Sequence, residues 1–336
     1  MQRSISLILI LALLIGIFAY AGYKIDADTD ENAVTVSIVV STTFGDKSFN
    51  DSAHAGGEKL EAEGMFVNYV ECGGQNYKQS VMDAASISDI VFCAGWEFWE
   101  ITDVANENPG VKFVWLDNTV EDPEDYTNLI NVLYSQNEAS YLAGYIASAM
   151  SQTGVIGVVG GNDDDTINDF VAGFTQGAQD CNDGVDVLTE YAGGDYDNPM
   201  LGKQLAMGLY EQGADIIFQV AGNTGNGVIQ AAKERGFYAI GVDSDQKDTL
   251  PEYEDAIICS VIKRIGETIY RITMDYAREG EFNGGTILQA GLSDGSVGLS
   301  YGSKGTTKLV DKDLAEEISE LSADIIEGEI EVESTL

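Results

Sequence analysis

Gly45-Asp46-Lys47-Ser48-Phe49-Asn50 gathers a carboxylate, an ammonium, a hydroxyl, an aromatic ring and an amide into one short turn. It follows the apolar run Val34–Val40, which reads as a buried strand, and Ser48 or Asn50 suits the N-cap of the next helix. In an open parallel sheet, ligands bind in the crevice beyond the strand ends. Gly95-Trp96, Asp117, Gly161 with Phe170, Gly222 to Gly225, and Asp243 also fall at or just beyond predicted strand ends. Glycines there let backbone amides approach a ligand closely. Aromatic faces suit a flat heterocycle and carboxylates suit vicinal hydroxyls, and a nucleoside has both. Lys263, a rare cation at the end of another apolar run, reads as paired or ligand-facing. Plainer roles compete at each position. Phe49 and Phe170 also suit a core, with Phe174 one turn beyond Phe170, and Asp117 and Asp243 also suit turns or caps.

Catalysis lacks a residue set. His54 is the only histidine, and no Gly-x-Ser-x-Gly elbow offers a nucleophile. Gly222-Asn223-Thr224-Gly225-Asn226-Gly227 matches neither a dinucleotide fingerprint nor a P-loop, and no lysine follows it to hold a triphosphate. The acidic stretches Asn162 to Asp165 and Asp243 to Asp245 lack the twelve-residue spacing of a calcium loop. The expectation is a binding protein with no cofactor and no metal.

The elements that must position these residues alternate twice. Val34–Val40, Phe66–Glu71, Ile90–Ala94, Val111–Leu116 and Leu129–Leu133 read as strands separated by helices. A helix capped by Asn137 runs to Met150 and starts a second series. Its strands are Gly154–Val159, Val185–Tyr191, Ile216–Val220, Tyr238–Val242 and Ile257–Val261, followed by helices near 266–278 and 309–327. Such alternation predicts an α/β protein of two doubly wound parallel-sheet lobes.

The 336 residues carry 56 Asp and Glu against 17 Lys and Arg, a formal charge of −39. That excess excludes nucleic acid and anionic lipid as partners of the surface, and its even spread fits an exterior adapted to high salt. Arg3 precedes twenty uncharged residues, Ser4 to Tyr23, enough to span a bilayer once. Residues 1–23 therefore read as an uncleaved membrane anchor, or else as a secretory signal cut after Ala19-Tyr20-Ala21, with 24–33 an acidic tether. Either reading puts the fold outside the cytoplasm. Cys72, Cys93, Cys181 and Cys259 form no CxxC pair. A Cys72–Cys93 disulfide is conceivable outside the cell, but buried thiols are the expectation.

Several blocks together resemble the basic membrane protein family of ABC-transporter substrate-binding proteins, the PnrA-like nucleoside-binding lipoproteins. They are the Gly45 to Asp51 turn, Val114-Trp115-Leu116-Asp117-Asn118, Glu138 to Gly144, Gly154 to Gly161, Phe170 to Phe174, Ala221 to Gly225, Gly241 to Gln246 and Ser260 to Arg264. They follow the family's order across about residues 34–300. The resemblance implies a type I periplasmic-binding-protein fold. Lobe 1 would hold 34–136 plus about 262–297, lobe 2 would hold 137–261 plus about 298–336, and the hinge would use connections near 135, 262 and 298. It also implies a site: Phe49 and Phe170 sandwich a base, and Asp117, Asp243 and Lys263 bind ribose hydroxyls. Ser48, Asn50 and the backbone from Gly222 to Gly225 complete the pocket, with Trp96 adding stacking surface. The implied function is capture of a nucleoside, purine favoured, by a monomer that delivers it to an ABC permease. A ligand-sensing ectodomain of the same fold, or another small solute, is the alternative. Two departures stand out. Val40 occupies the position of an acid usual in the family, and no cysteine precedes Cys72 to carry a lipid.

Overall fold

The computed structural model describes residues 34–336. The anchor and tether expected over 1–33 lie outside these residues. Among the described residues no helix is long and apolar enough to cross a membrane.

The first sheet takes β1 (Thr35–Val40), β2 (Phe66–Glu71), β3 (Ile90–Ala94), β4 (Lys112–Leu116) and β5 (Leu129–Tyr134). Helices α1 (Phe49–Ala62), α2 (Tyr77–Ala85) and α3 (Ile101–Glu107) connect its earlier strands. After α4 (Gln136–Met150), the second sheet takes β6 (Val155–Gly160), β7 (Asp186–Tyr191), β8 (Ile216–Val220), β9 (Tyr238–Asp243) and β10 (Ile257–Lys263). Between them lie α5 (Asp165–Cys181), α6 (Pro199–Glu211), α7 (Gly222–Arg235) and the single turn α8 (Gln246–Thr249). The central strands are continuous apolar runs because helices cover both faces; β3 and β8 are buried at every residue.

The chain then returns. Helix α9 (Ile265–Glu279) packs on α1, β11 (Thr286–Ala290) joins the first sheet, β12 (Val297–Ser300) joins the second, and α10 (Lys312–Glu327) packs on α4. The sheet orders are β11-β5-β4-β3-β1-β2 and β12-β10-β9-β8-β6-β7. Every pairing is parallel except β12, which runs antiparallel to β10. The chain thus passes between sheets at Ser135, at Arg264 and across 291–296. Ile262, Lys263 and Val297 belong to the second sheet.

Helices α4 and α5 meet backbone to backbone. A Cβ on Gly144 would lie 1.9 Å from the Phe174 carbonyl oxygen, one on Gly173 2.1 Å from that of Asn137, and one on Gly177 1.9 Å from that of Tyr141. Only glycine permits so close an approach.

All four cysteines are free thiols, with Cys72, Cys93 and Cys259 buried. Most ion pairs are exposed, Lys59–Glu267, Lys203–Glu234 and Lys233–Asp255 among them, and such pairs contribute little each. The net charge of −39 is therefore mostly uncompensated. Screening tightens from about 30 Å at 0.01 M salt to about 3 Å at 1 M. The melting temperature should rise substantially over that range in a thermal scan, and a flat response would sever the acidic composition from salt adaptation.

Candidate functional site

The turn after β1 is built around Asp46. Its carboxylate accepts the backbone N–H groups of Ser48, Asn50 and Asp51 at 3.0, 2.9 and 3.1 Å, filling the role of an N-cap for α1. Ser48 holds the N-cap position without a side-chain capping bond. Its hydroxyl is freed to reach across the cleft and donate to Asp243. The sequence reading of Ser48 as a cap is corrected on that point: Asp46, two residues earlier, takes the helix amides. The Asn50 amide nitrogen donates to Thr42 Oγ1 and the Thr43 carbonyl, pinning the loop that precedes the turn.

Two carboxylates stand where strands end. Asp117 follows β4 and Asp243 closes β9, with φ of 70° and 63° respectively. These left-handed values are costly for most residues and tolerated best by Asn and Asp. Such strain concentrates at ligand sites. Asp117 is met by Lys263 from the other sheet, whose Nζ lies 2.8 and 2.7 Å from its two carboxylate oxygens. Both side chains are buried. The same ammonium lies 4.8 Å from the centre of the Phe170 ring, 5.4 Å from Tyr134 and 5.7 Å from Phe49. One cation is thus gripped by a carboxylate and faced by three rings.

Further bonds draw the lobes together over this pair. Asn226 Nδ2 donates to the Asp46 carbonyl at 3.1 Å, Ser244 Oγ to the Ser48 carbonyl at 3.2 Å, and Gln246 Nε2 to the Lys47 carbonyl at 3.3 Å. Between the lobes lies a cavity of about 150 Å³, room for about one aromatic ring system. Phe49, Asn50, Trp96, Asp117, Phe170, Gly222, Asp243 and Lys263 all contribute to its wall. Ser48 stands behind the wall as the support of Asp243. Gly225 faces away, its Cα against the Gln219 side chain, where a Cβ would come within 1.6 Å of Oε1. Trp96 is half exposed at the rim. Among the described residues no group of His, Cys, Asp and Glu is arranged to hold a metal ion.

Sequence similarity then gives the lineage. The family model described as ABC transporter substrate-binding protein PnrA-like matches residues 33–335. Basic membrane protein D of Borreliella burgdorferi is 34% identical over 283 residues, covering 81% of this chain and 80% of its own. The CD4+ T-cell-stimulating antigen of Listeria monocytogenes is 32% identical, covering 89% and 87%. Among solved structures, an ABC transporter solute-binding protein from Aeropyrum pernix K1 superposes with a TM-score of 0.78 at 27% identity, covering 89% of this chain and 92% of that one. The chain belongs to the PnrA-like family of ABC-transporter substrate-binding proteins. Its fold is the type I periplasmic-binding fold, and its work is to bind a small solute for permease subunits outside the cytoplasm, without catalysis.

Two wall residues of this substrate-binding protein escape sequence reasoning. Tyr196, in the loop between β7 and α6, lays its ring against Gly161 and Gly222. Burial, then the negative charges of Asp164, Glu97, Asp117 and Asp243, hold its phenol protonated. Glu97, in the 3₁₀ turn Trp96–Phe98, also lines the cavity, and burial raises its pKa above the usual carboxylate range. The one signal for either was a neighbouring glycine whose missing side chain makes room.

Burial pushes Asp243 up to about 6, against the lowering effects of Lys263 and the Ser48 hydroxyl, while Asp46 and Asp117 push it further up. Its folded pKa is raised, so ionising it above pH 6 opposes folding, and stability should fall as pH rises from about 4 to 6. Solute binding runs the other way. A ligand that donates hydrogen bonds to Asp243 needs the ionised form, so affinity should weaken from pH 7 to pH 5. Titration of Asp243→Asn across the same range should show a flatter profile. An equally steep profile in that variant would assign the pH dependence to another group.

Proposed function

We propose that the cleft captures a nucleoside, with purines favoured, and presents it to an ABC importer. The observation that carries this reading is the cation Lys263, bound to Asp117 and faced by Phe49 and Phe170. Asp117, Lys263 and the free side of Asp243 form a polar end suited to ribose hydroxyls, which both donate and accept. Phe49 and Phe170 offer the faces for a base, and Tyr196 adds another. Binding would exchange some cross-cleft bonds for ligand contacts as the lobes adjust about their three crossings. The apolar run Ser4 to Tyr23 would tether the protein to the membrane beside its permease.

The test is calorimetric titration with inosine, guanosine, adenosine, uridine and hypoxanthine. Nucleosides should bind, and hypoxanthine, lacking ribose, should bind far more weakly. Asp117→Ala should narrow that gap by weakening nucleosides selectively. Indifference to every nucleoside would redirect the cleft to another solute.

A further inference from the structure

We propose that Asn226, Ser244 and Gln246 are positioning residues that latch the two lobes together independently of the solute, each by donating one hydrogen bond to the backbone of the Asp46–Ser48 turn.

Three consecutive carbonyls of the first lobe meet three side chains of the second. The Asp46 carbonyl accepts from Asn226 on α7, that of Lys47 from Gln246 on α8, and that of Ser48 from Ser244 in the loop between β9 and α8. The Ser48 carbonyl also takes the Ser52 N–H at 2.9 Å, within the capacity of an oxygen with two lone pairs. The turn is shaped to offer this row. Lys47 has a φ of 60°, a left-handed value uncommon for lysine. The Asp51 carboxylate holds it there by accepting the N–H groups of Gly45 and Lys47 at 2.6 and 3.1 Å. Strain of this kind persists only where the surroundings over-determine it.

In the second lobe the donors are aimed. Gln219 Oε1 accepts the Ala221 N–H at 3.2 Å, which turns its amide nitrogen toward Gln246 Oε1, 2.6 Å away. That oxygen also accepts the Val242 N–H at 3.1 Å. With its oxygen committed twice, Gln246 presents its amide nitrogen to the first lobe, and the same nitrogen lies 3.4 Å from Asn226 Oδ1. Asn226 in turn points its own nitrogen at the Asp46 carbonyl and at Asn223 Oδ1. Backbone N–H groups thus fix the sense of the whole amide relay. Gln219 and Gln246 are fully buried, so their bonds are made away from competing water. Glycines leave them the space: a Cβ on Gly225 would lie 1.6 Å from Gln219 Oε1, and one on Gly241 2.6 Å from Gln246 Oε1.

Asn226, Ser244 and Gln246 stand outside the cavity wall, so their bonds form whether or not a solute is bound. They are also neutral, and salt does not screen them as it screens an ion pair. A contact made only when the lobes are together raises the population of that state and shifts the apparent affinity for every solute alike. The wall then decides which solute binds, and the latch decides how readily the lobes part.

The experiment is hydrogen–deuterium exchange of the full chain with no solute added, read by mass spectrometry. In Asn226→Ala/Ser244→Ala, the amides of 46–52 and 242–247 should exchange about five- to hundredfold faster than in wild type, reflecting the loss of two neutral hydrogen bonds. Strands β3 and β8, central in the two sheets, should exchange as before. Asn226→Asp keeps the shape and replaces the donor by an acceptor, so it should accelerate the same two segments. Equal exchange in wild type and both variants would overturn the latch. Acceleration that spreads to β3 and β8 would overturn it too, making these side chains supports of the fold. Calorimetry with inosine and guanosine separates latch from wall. Both nucleosides should weaken by one common factor in the double variant, and a changed ratio between them would make Asn226 or Ser244 a reader of the solute instead. Failure of wild type to bind either nucleoside would remove the nucleoside reading and leave the exchange result to decide the latch.

Discussion

Lys263→Ala should destabilise the folded protein by about 3–5 kcal/mol, because it leaves Asp117 buried and charged with no partner. The lost pair also bridges the two sheets, so a second effect is expected. The lobes should separate, and small-angle scattering should report a larger radius of gyration than for wild type. Affinity for the solute should disappear with it. The double variant Asp117→Leu/Lys263→Met separates the two roles. Apolar groups of similar volume should restore most of the stability, since a buried ion pair is seldom worth more than a packed apolar one. They should not restore binding. A denaturation midpoint unmoved by Lys263→Ala would mean that the pair is far better hydrated than its burial indicates.

Phe170→Ala should act on stability and binding at once. The ring is 2% exposed and meets Phe218 edge-on at 6.2 Å between centroids, and removing a buried Phe typically costs about 3–5 kcal/mol. With the proposed nucleoside as solute, loss of base stacking should add about 1–3 kcal/mol to the cost of binding, a ten- to hundredfold weaker Kd. Phe49 is only partly buried, so Phe49→Ala should show a similar binding loss with a smaller change in stability. Denaturation paired with calorimetry distinguishes the cases. A destabilised Phe170→Ala protein with full affinity would make the residue a core side chain and nothing more.

The strands that carry the site were legible because helices bury them on both faces, leaving long apolar runs. The edge strands β2 and β7 were legible too, but the late edge strands β11 and β12 were not. β11 exposes three of its five residues, and β12 is four residues long with a glycine inside; neither leaves a run to detect. In the site, the order of elements alone put Asp117, Asp243 and Lys263 at strand ends and Phe170 in the helix after β6, and all four line the cavity. Their partnerships could not be read that way. Lys263 read as paired or ligand-facing with no partner named, and the fold supplies Asp117, 146 residues away. Ser48 read as a helix cap because the local pattern holds nothing of Asp243, 195 residues away. Tyr196 and Glu97 sit in connecting turns, where only closure of the whole fold decides which way a side chain points.

The glycine contacts between α4 and α5 bear on mechanics. α4 starts directly after Ser135, one of the three crossings, and α5 carries Phe170. Gly173 nests on the Asn137 carbonyl and Gly177 on that of Tyr141, while the Asp169 carboxylate also accepts the Asn137 N–H at 3.3 Å. With backbones in direct contact, no flexible side chain lies between the helices to absorb a displacement. The pair acts as one beam mounted on the pivot. Were the lobes to rotate about Ser135, the two helices would turn as one body and carry the Phe170 ring with them.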